Sequence, residues 1–172
     1  MTEPRPGSGE PPLRAIDILR TLLDHQVEFI VIGGFALAAH GYIRGTKDLD
    51  VVPEPGKTNL QRLVGALRAL DAEPLAVGEF KREELVELNL ETLMLGGNWL
   101  LRTRYGRLDV MQYAEGMRSY DELRQRAVVH IPAGVEGEPL FVGLDDLVAL
   151  KRSAGRPQDL LDIAELERAR GG

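Results

Sequence analysis

The stretch FIVIGGFALAAHGYIRGTKDLDVVPEP, residues 29–55, constrains this chain more than any other. FIVI is a short apolar run rich in β-branched side chains, the pattern of a buried strand. The pair Gly33-Gly34 breaks it, and the small apolar residues of GFALAAHG then predict a short helix. DLDVVP follows as a second strand, ended by Pro53 and Pro55. Two strands this close, joined through a glycine turn and a helix, commit the chain to a sheet with helices packed on it.

The second strand carries Asp48 and Asp50 with Leu49 between them. Side chains alternate across a strand, so both carboxylates point to one face while Leu49 points into the core. Two such charges repel, and without a cation at least one carboxyl should have a raised pKa. A divalent ion removes the conflict. Hard oxygen ligands at this spacing suit Mg²⁺, which completes its shell with waters and phosphate oxygens. Gly33 and Gly34 add a place where a phosphate could approach the backbone, next to the start of a helix.

The rest of the chain continues the alternation of elements. LRAIDILRTLLDHQ sets Leu13, Ile16, Leu19, Leu22 and Leu23 on one face of an amphipathic helix, and LQRLVGALRAL does the same after the second strand. EFKREELVELNLE holds a short helix in this reading, and MLGGN a loop. WLLRTRYGRLDVMQ reads as a β-hairpin around Tyr105-Gly106. Ser119 and Glu122 form a capping-box pattern at the start of SYDELRQRA. VVHIPAG and PLFVGL read as strands, and Asp145 and Asp146 open the helix DDLVALKRSAG. Gly155 ends it, and Pro157 sits in the first turn of PQDLLDIAELERA. The order predicts an α+β domain with a mixed or antiparallel sheet, spanning residues 13–172 behind a disordered tail at 1–12 that is rich in proline and glycine.

Composition excludes several chemistries. The 172 residues contain no cysteine, which removes disulfides, thiol nucleophiles and thiolate metal sites and fits a cytoplasmic protein. The most apolar stretch is too short to span a bilayer, and no signal peptide is visible at the start of the chain. The formal net charge of -6 means that a polyanion must be met by a local patch of Arg and Lys rather than by a global field.

The glycine pair, a spacer of about a dozen residues and acid-hydrophobic-acid together resemble the nucleotidyltransferases of the DNA polymerase beta superfamily. Arg44 and Thr46 in the spacer match the R-x-T-x-D-h-D form of AbiEii-type bacterial toxins, and Lys151, Arg156 and Asp159 match the lysine and the Arg-x-x-Asp turn of that branch. Two departures stand out: Gly34 replaces a serine common in the superfamily, and the C-terminal helical segment is short. The resemblance implies a nucleotidyltransferase fold and a third carboxylate on a later strand, supplied here by Asp109 in GRLDVMQ. It also implies an enzyme that moves a nucleoside monophosphate from an NTP to a hydroxyl acceptor, with Mg²⁺ held by Asp48, Asp50 and Asp109. Gly33, Gly34, Arg44 and Lys151 would meet the nucleotide. The implied acceptor is a tRNA end or a protein hydroxyl, in a toxin–antitoxin setting with an antitoxin as partner; an antibiotic-type small molecule is a further acceptor class. The alternative is a non-catalytic module of the same fold, and the orientation of Asp109 separates the two.

Simpler roles stand beside these. Arg44 could pair with a structural carboxylate and Lys151 could be a solvated helix residue. Asp159 suits a first helical turn electrostatically, Asp162 reads as a surface residue, and His40 as a packing residue. Arg102, Arg104 and Arg107 fit either a solvated edge strand or a contact with RNA or triphosphate. Trp99, Tyr105 and Tyr113 are too few for a base-stacking platform.

Overall fold

The computed structural model describes residues 11–75 and 86–171. Helix α1 (Ala15–Asp24) buries Ile18, Leu19 and Leu22, the stripe that its apolar spacing produces. Strand β1 (Phe29–Ile32) is buried throughout. The predicted short helix is a tight 3-10 helix (Gly34–His40), and it leads to β2 (Asp48–Pro53). Helix α2 (Lys57–Ala69) buries Leu60, Leu63, Val64 and Leu67. The short strand β3 (Glu73–Pro74) follows. Helix α3 (Leu90–Met94) begins with a capping box between Asn89 and Thr92. The part of EFKREELVELNLE before it falls mostly outside the described residues, as do residues 1–10 of the predicted tail.

The predicted hairpin is β4 (Asn98–Thr103) and β5 (Gly106–Met111), joined by Arg104 and Tyr105. Thr103 Oγ1 donates to the Gly106 carbonyl at 2.7 Å and accepts from the Tyr105 amide at 3.0 Å, which closes the turn. Gly106 is required twice: its φ of 102° is left-handed, and a β-carbon there would lie 2.7 Å from Leu13 Cα. Helix α4 (Tyr120–Arg126) carries the Ser119–Glu122 capping box. Strands β6 (Val128–Val129) and β7 (Leu140–Phe141) are only two residues each and pair antiparallel. Helix α5 (Leu144–Ala154) ends at Gly155 in the left-handed conformation, and α6 (Pro157–Gly171) turns back along it.

Among the described residues, seven strands form one mixed sheet in the order β3-β4-β5-β2-β1-β7-β6. β1 and β2 are antiparallel, whereas β2 and β5 run parallel, as do β1 and β7. Leu49 and Val51 of β2 and Leu108 and Val110 of β5 share one face and are wholly buried. The opposite face of the same strands is therefore free to carry polar groups at the sheet's centre, where two neighbouring strands run in the same direction. Among the described residues, no helix is long and apolar enough to cross a membrane.

Candidate active site

The parallel register of β2 and β5 builds the centre of the site. Asp48 lies opposite Arg107, and Asp50 opposite Asp109. Because alternate residues share a face, Asp48, Asp50, Arg107 and Asp109 all project to the side away from the core. The carboxylates of Asp48, Asp50 and Asp109 each bring an oxygen within 4.8 Å of the others. Asp109 thus faces the pair. Leu49, between the two acids, is fully buried as alternation requires.

Electrostatics at the cluster follow from crowding and burial. Burial, then the neighbouring Asp48 charge, pushes the Asp50 carboxyl up to about 8, and Asp109 adds to the effect. Burial also raises Asp109, although the Arg107 guanidinium pulls it back. Arg107 Nη2 donates to Asp109 Oδ1 at 3.1 Å and to Oδ2 at 3.4 Å. Asp50 therefore holds a proton at neutral pH that a bound cation would displace.

Gly33 and Gly34 shape the wall beside the acids. Gly33 has a φ of 73°, and a β-carbon on it would run into the Asp50 carboxylate. Gly34 differs from the sequence-based picture of an open phosphate cradle. A β-carbon there would meet Thr46 Oγ1 at 3.0 Å and Arg44 Nη2 at 3.1 Å, so its bareness makes room for protein side chains. The following 3-10 helix has seven residues, which leaves it with little of the macrodipole of a long α-helix.

The cleft above the acids has a volume of about 620 Å³. Arg44, Lys47, Arg107, Lys151 and Arg156 line it together with the acids, and Leu100, Met111, Leu147 and Leu150 give it an apolar side. Arg44 and Lys151 reach it already engaged. Arg44 donates to Asp162 from Nε and Nη2, both at 2.8 Å, a bidentate fork. Lys151 Nζ donates to Asp162 Oδ2 at 2.8 Å and lies 3.6 Å from Asp159 Oδ1. The predicted nucleotide contacts of these two cations therefore begin from a network that ties the 3-10 connection to α5 and α6.

Asp162 corrects the reading of a surface residue: it is 0% exposed and accepts from Arg44, Lys151 and Gln158. Its spacing from Asp159 is one helical turn, which sets both carboxylates on the side of α6 that meets Lys151. Burial pushes the Asp162 carboxyl up, but the three hydrogen bonds outweigh it and hold the group at about 2. Lys151 is likewise buried rather than solvated. Asp159 does sit in the first turn of α6, and Arg156 binds it through both its amide and its guanidinium.

The other singled-out residues separate cleanly. His40 Nε2 is hydrogen-bonded to the Val142 carbonyl at 2.8 Å, a packing role. Arg104 pairs with Asp71 at 2.6 Å, away from the acids, so the three hairpin arginines are not one patch. Tyr113 is exposed, whereas Trp99 packs against the core.

No family model matches the sequence, and no curated protein matches it. Among solved structures, the chain is similar to the crystal structure of ANT(2")-Ia in complex with adenylyl-2"-tobramycin, at 14% identity and a TM-score of 0.42 over 90% of this chain and 95% of that one. It is also similar to the solution structure of the antibiotic-resistance factor ANT(2")-Ia, at 15% identity and a TM-score of 0.41 over 90% and 89% of the two chains.

Proposed function

We propose that this protein is a metal-dependent nucleotidyltransferase that moves a nucleoside monophosphate from an NTP to a hydroxyl acceptor. One observation carries the reading: Asp48, Asp50 and Asp109 converge from two parallel strands at the base of the cleft. The donor set fits Mg²⁺, since all three ligands are hard oxygens. Burial, and after it the mutual repulsion of the carboxylates, raises Asp50 and Asp109, which gives the site a reason to take a cation. When bound, the metal would neutralise charge on the triphosphate and on the departing pyrophosphate.

The chain's own groups supply the rest. The acceptor hydroxyl oxygen attacks the α-phosphorus, the bond to the oxygen bridging the α- and β-phosphorus breaks, and pyrophosphate leaves. Asp109, on the strand beside the other two acids, is the carboxylate suited to take the hydroxyl proton. Gly33 keeps Asp50 close to the backbone turn, so the ligand oxygens are held by the sheet rather than by a loop. Arg44, Lys151 and Arg156 set positive charge along the cleft wall where the phosphates would lie. The acceptor we propose is a tRNA end or a protein hydroxyl in the cytoplasm, as part of a toxin–antitoxin pair.

The test is a transfer assay with Mg²⁺, total tRNA and cell lysate as acceptors, run in parallel with α-³²P and γ-³²P labelled NTPs. Label passing to an acceptor from the α position only, and lost in Asp50→Asn, is the expected result. Transfer from the γ position instead would identify a phosphotransferase and overturn the reading.

A further inference from the structure

Arg107 is a charged group of the cleft whose present contacts leave a buried donor unmade. It sits at the centre of the acidic cluster rather than on its rim, opposite Asp48 in the register and two residues before Asp109 on the same face. Its bonds to Asp109, at 3.1 and 3.4 Å, are long for a charge-assisted pair, against 2.8 Å for both bonds of Arg44 to Asp162. Its Nε is buried and finds no acceptor among the described residues. A guanidinium offers five donors, and a buried donor left unmade is costly.

A cation in this place also conflicts with a second cation. A divalent ion held by the three carboxylates would compete with Arg107 for Asp109 and repel it. Arg44 and Lys151 cannot relieve the charge by moving, because leaving Asp162 would strand a fully buried carboxylate. Arg107 can move: its side chain is 27% exposed and opens onto the cleft.

Resting on the nucleotidyltransferase reading, we propose that Arg107 exchanges partners, capping Asp109 in the ligand-free protein and turning its guanidinium to the polyphosphate once a metal ion occupies the carboxylates. The planar fork matches phosphate oxygens in a way that an ammonium does not. The residue would thus hold the cluster together when empty and bind the donor's phosphates when full.

Two titrations on Arg107→Met test this. Mn²⁺ alone, followed by electron paramagnetic resonance, should bind the variant several-fold more tightly than wild type, because a competing cation is gone. Magnesium tripolyphosphate, the part common to all four NTPs, should bind it roughly tenfold more weakly, the scale of one charge-assisted contact. Arg107→Lys should keep wild-type Mn²⁺ affinity and recover only part of the tripolyphosphate binding. If Arg107→Met does not fold, Arg107→Gln takes the same two titrations. Tighter Mn²⁺ with unchanged tripolyphosphate would leave Arg107 a mere counter-ion and overturn the exchange, as would unchanged Mn²⁺ affinity. Both results leave the nucleotidyltransferase reading standing. That reading fails separately, and the exchange with it, if wild type binds neither probe.

Discussion

Asp50→Asn should stabilise the metal-free protein at neutral and alkaline pH. In the folded chain, burial and the Asp48 charge lift the Asp50 carboxyl to about 8, from the ordinary value of 3.8. A carboxyl raised on folding contributes most stability below about pH 3.8 and loses that contribution as pH rises towards 8. Each pH unit across that interval is worth about 1.4 kcal/mol, so the full span sets an upper bound of roughly 6 kcal/mol at pH 8. Water reaching the open cleft and the nearby Arg107 reduce this, and we expect roughly 1–3 kcal/mol. For a chain of this size that is a rise of about 3–10 °C in melting temperature. Asparagine suits the position because it keeps the shape of the side chain and removes its charge. The assay is thermal melting by circular dichroism in EDTA at pH 4, 6 and 8, comparing each variant with wild type at the same pH. The gain should be largest at pH 8 and vanish near pH 4. A variant that melts lower than wild type at pH 8, or a difference that does not change with pH, would refute the argument.

Asp162→Asn should do the opposite, lowering stability by about 2–4 kcal/mol at pH 7 in chemical denaturation, because it strands Arg44 and buried Lys151. The Asp162 carboxyl is depressed to about 2, so its contribution is present above about pH 3.8 and fades as pH falls through 2; the gap between variant and wild type should narrow in acid. Gly33→Ala should melt lower and lose Mn²⁺ binding together, since it combines a left-handed φ with a β-carbon driven into Asp50; a variant with wild-type Mn²⁺ affinity would show that the turn does not position the carboxylate. Ser119→Ala should cost about 1 kcal/mol through loss of the α4 cap, read in the same denaturation assay, and leave metal binding unchanged.

What the sequence makes legible is whatever is written in local period and local chemistry. The strands FIVI and DLDVVP, the hairpin around Tyr105 and the capping box at Ser119 all follow from neighbours within a few residues. Alternation alone sets Leu49 inward and the two acids outward, and it puts Arg107 and Asp109 on a common face. Asp162 escapes this logic. An aspartate in a polar helix is exposed by default, and only the return of α6 along α5 and towards the 3-10 helix buries it between Arg44 and Lys151. Gly34 escapes it too, because glycine's permissiveness is readable in sequence whereas the neighbour it makes room for is not. Short strands such as β6 and β7 are fixed by pairing with a distant partner, so their two-residue length cannot be read from VVHIPAG and PLFVGL.

The proposed function stands on Asp48, Asp50 and Asp109 as a metal-dependent site for a nucleoside triphosphate. Calorimetric titration of wild type and Asp109→Asn with each of the four NTPs, in Mg²⁺ and again in EDTA, tests it most directly. The wild type should bind an NTP in Mg²⁺, and EDTA and Asp109→Asn should each abolish the heat of binding. Folded wild-type protein that binds none of the four at millimolar concentration, or binds one equally well in EDTA, would contradict it.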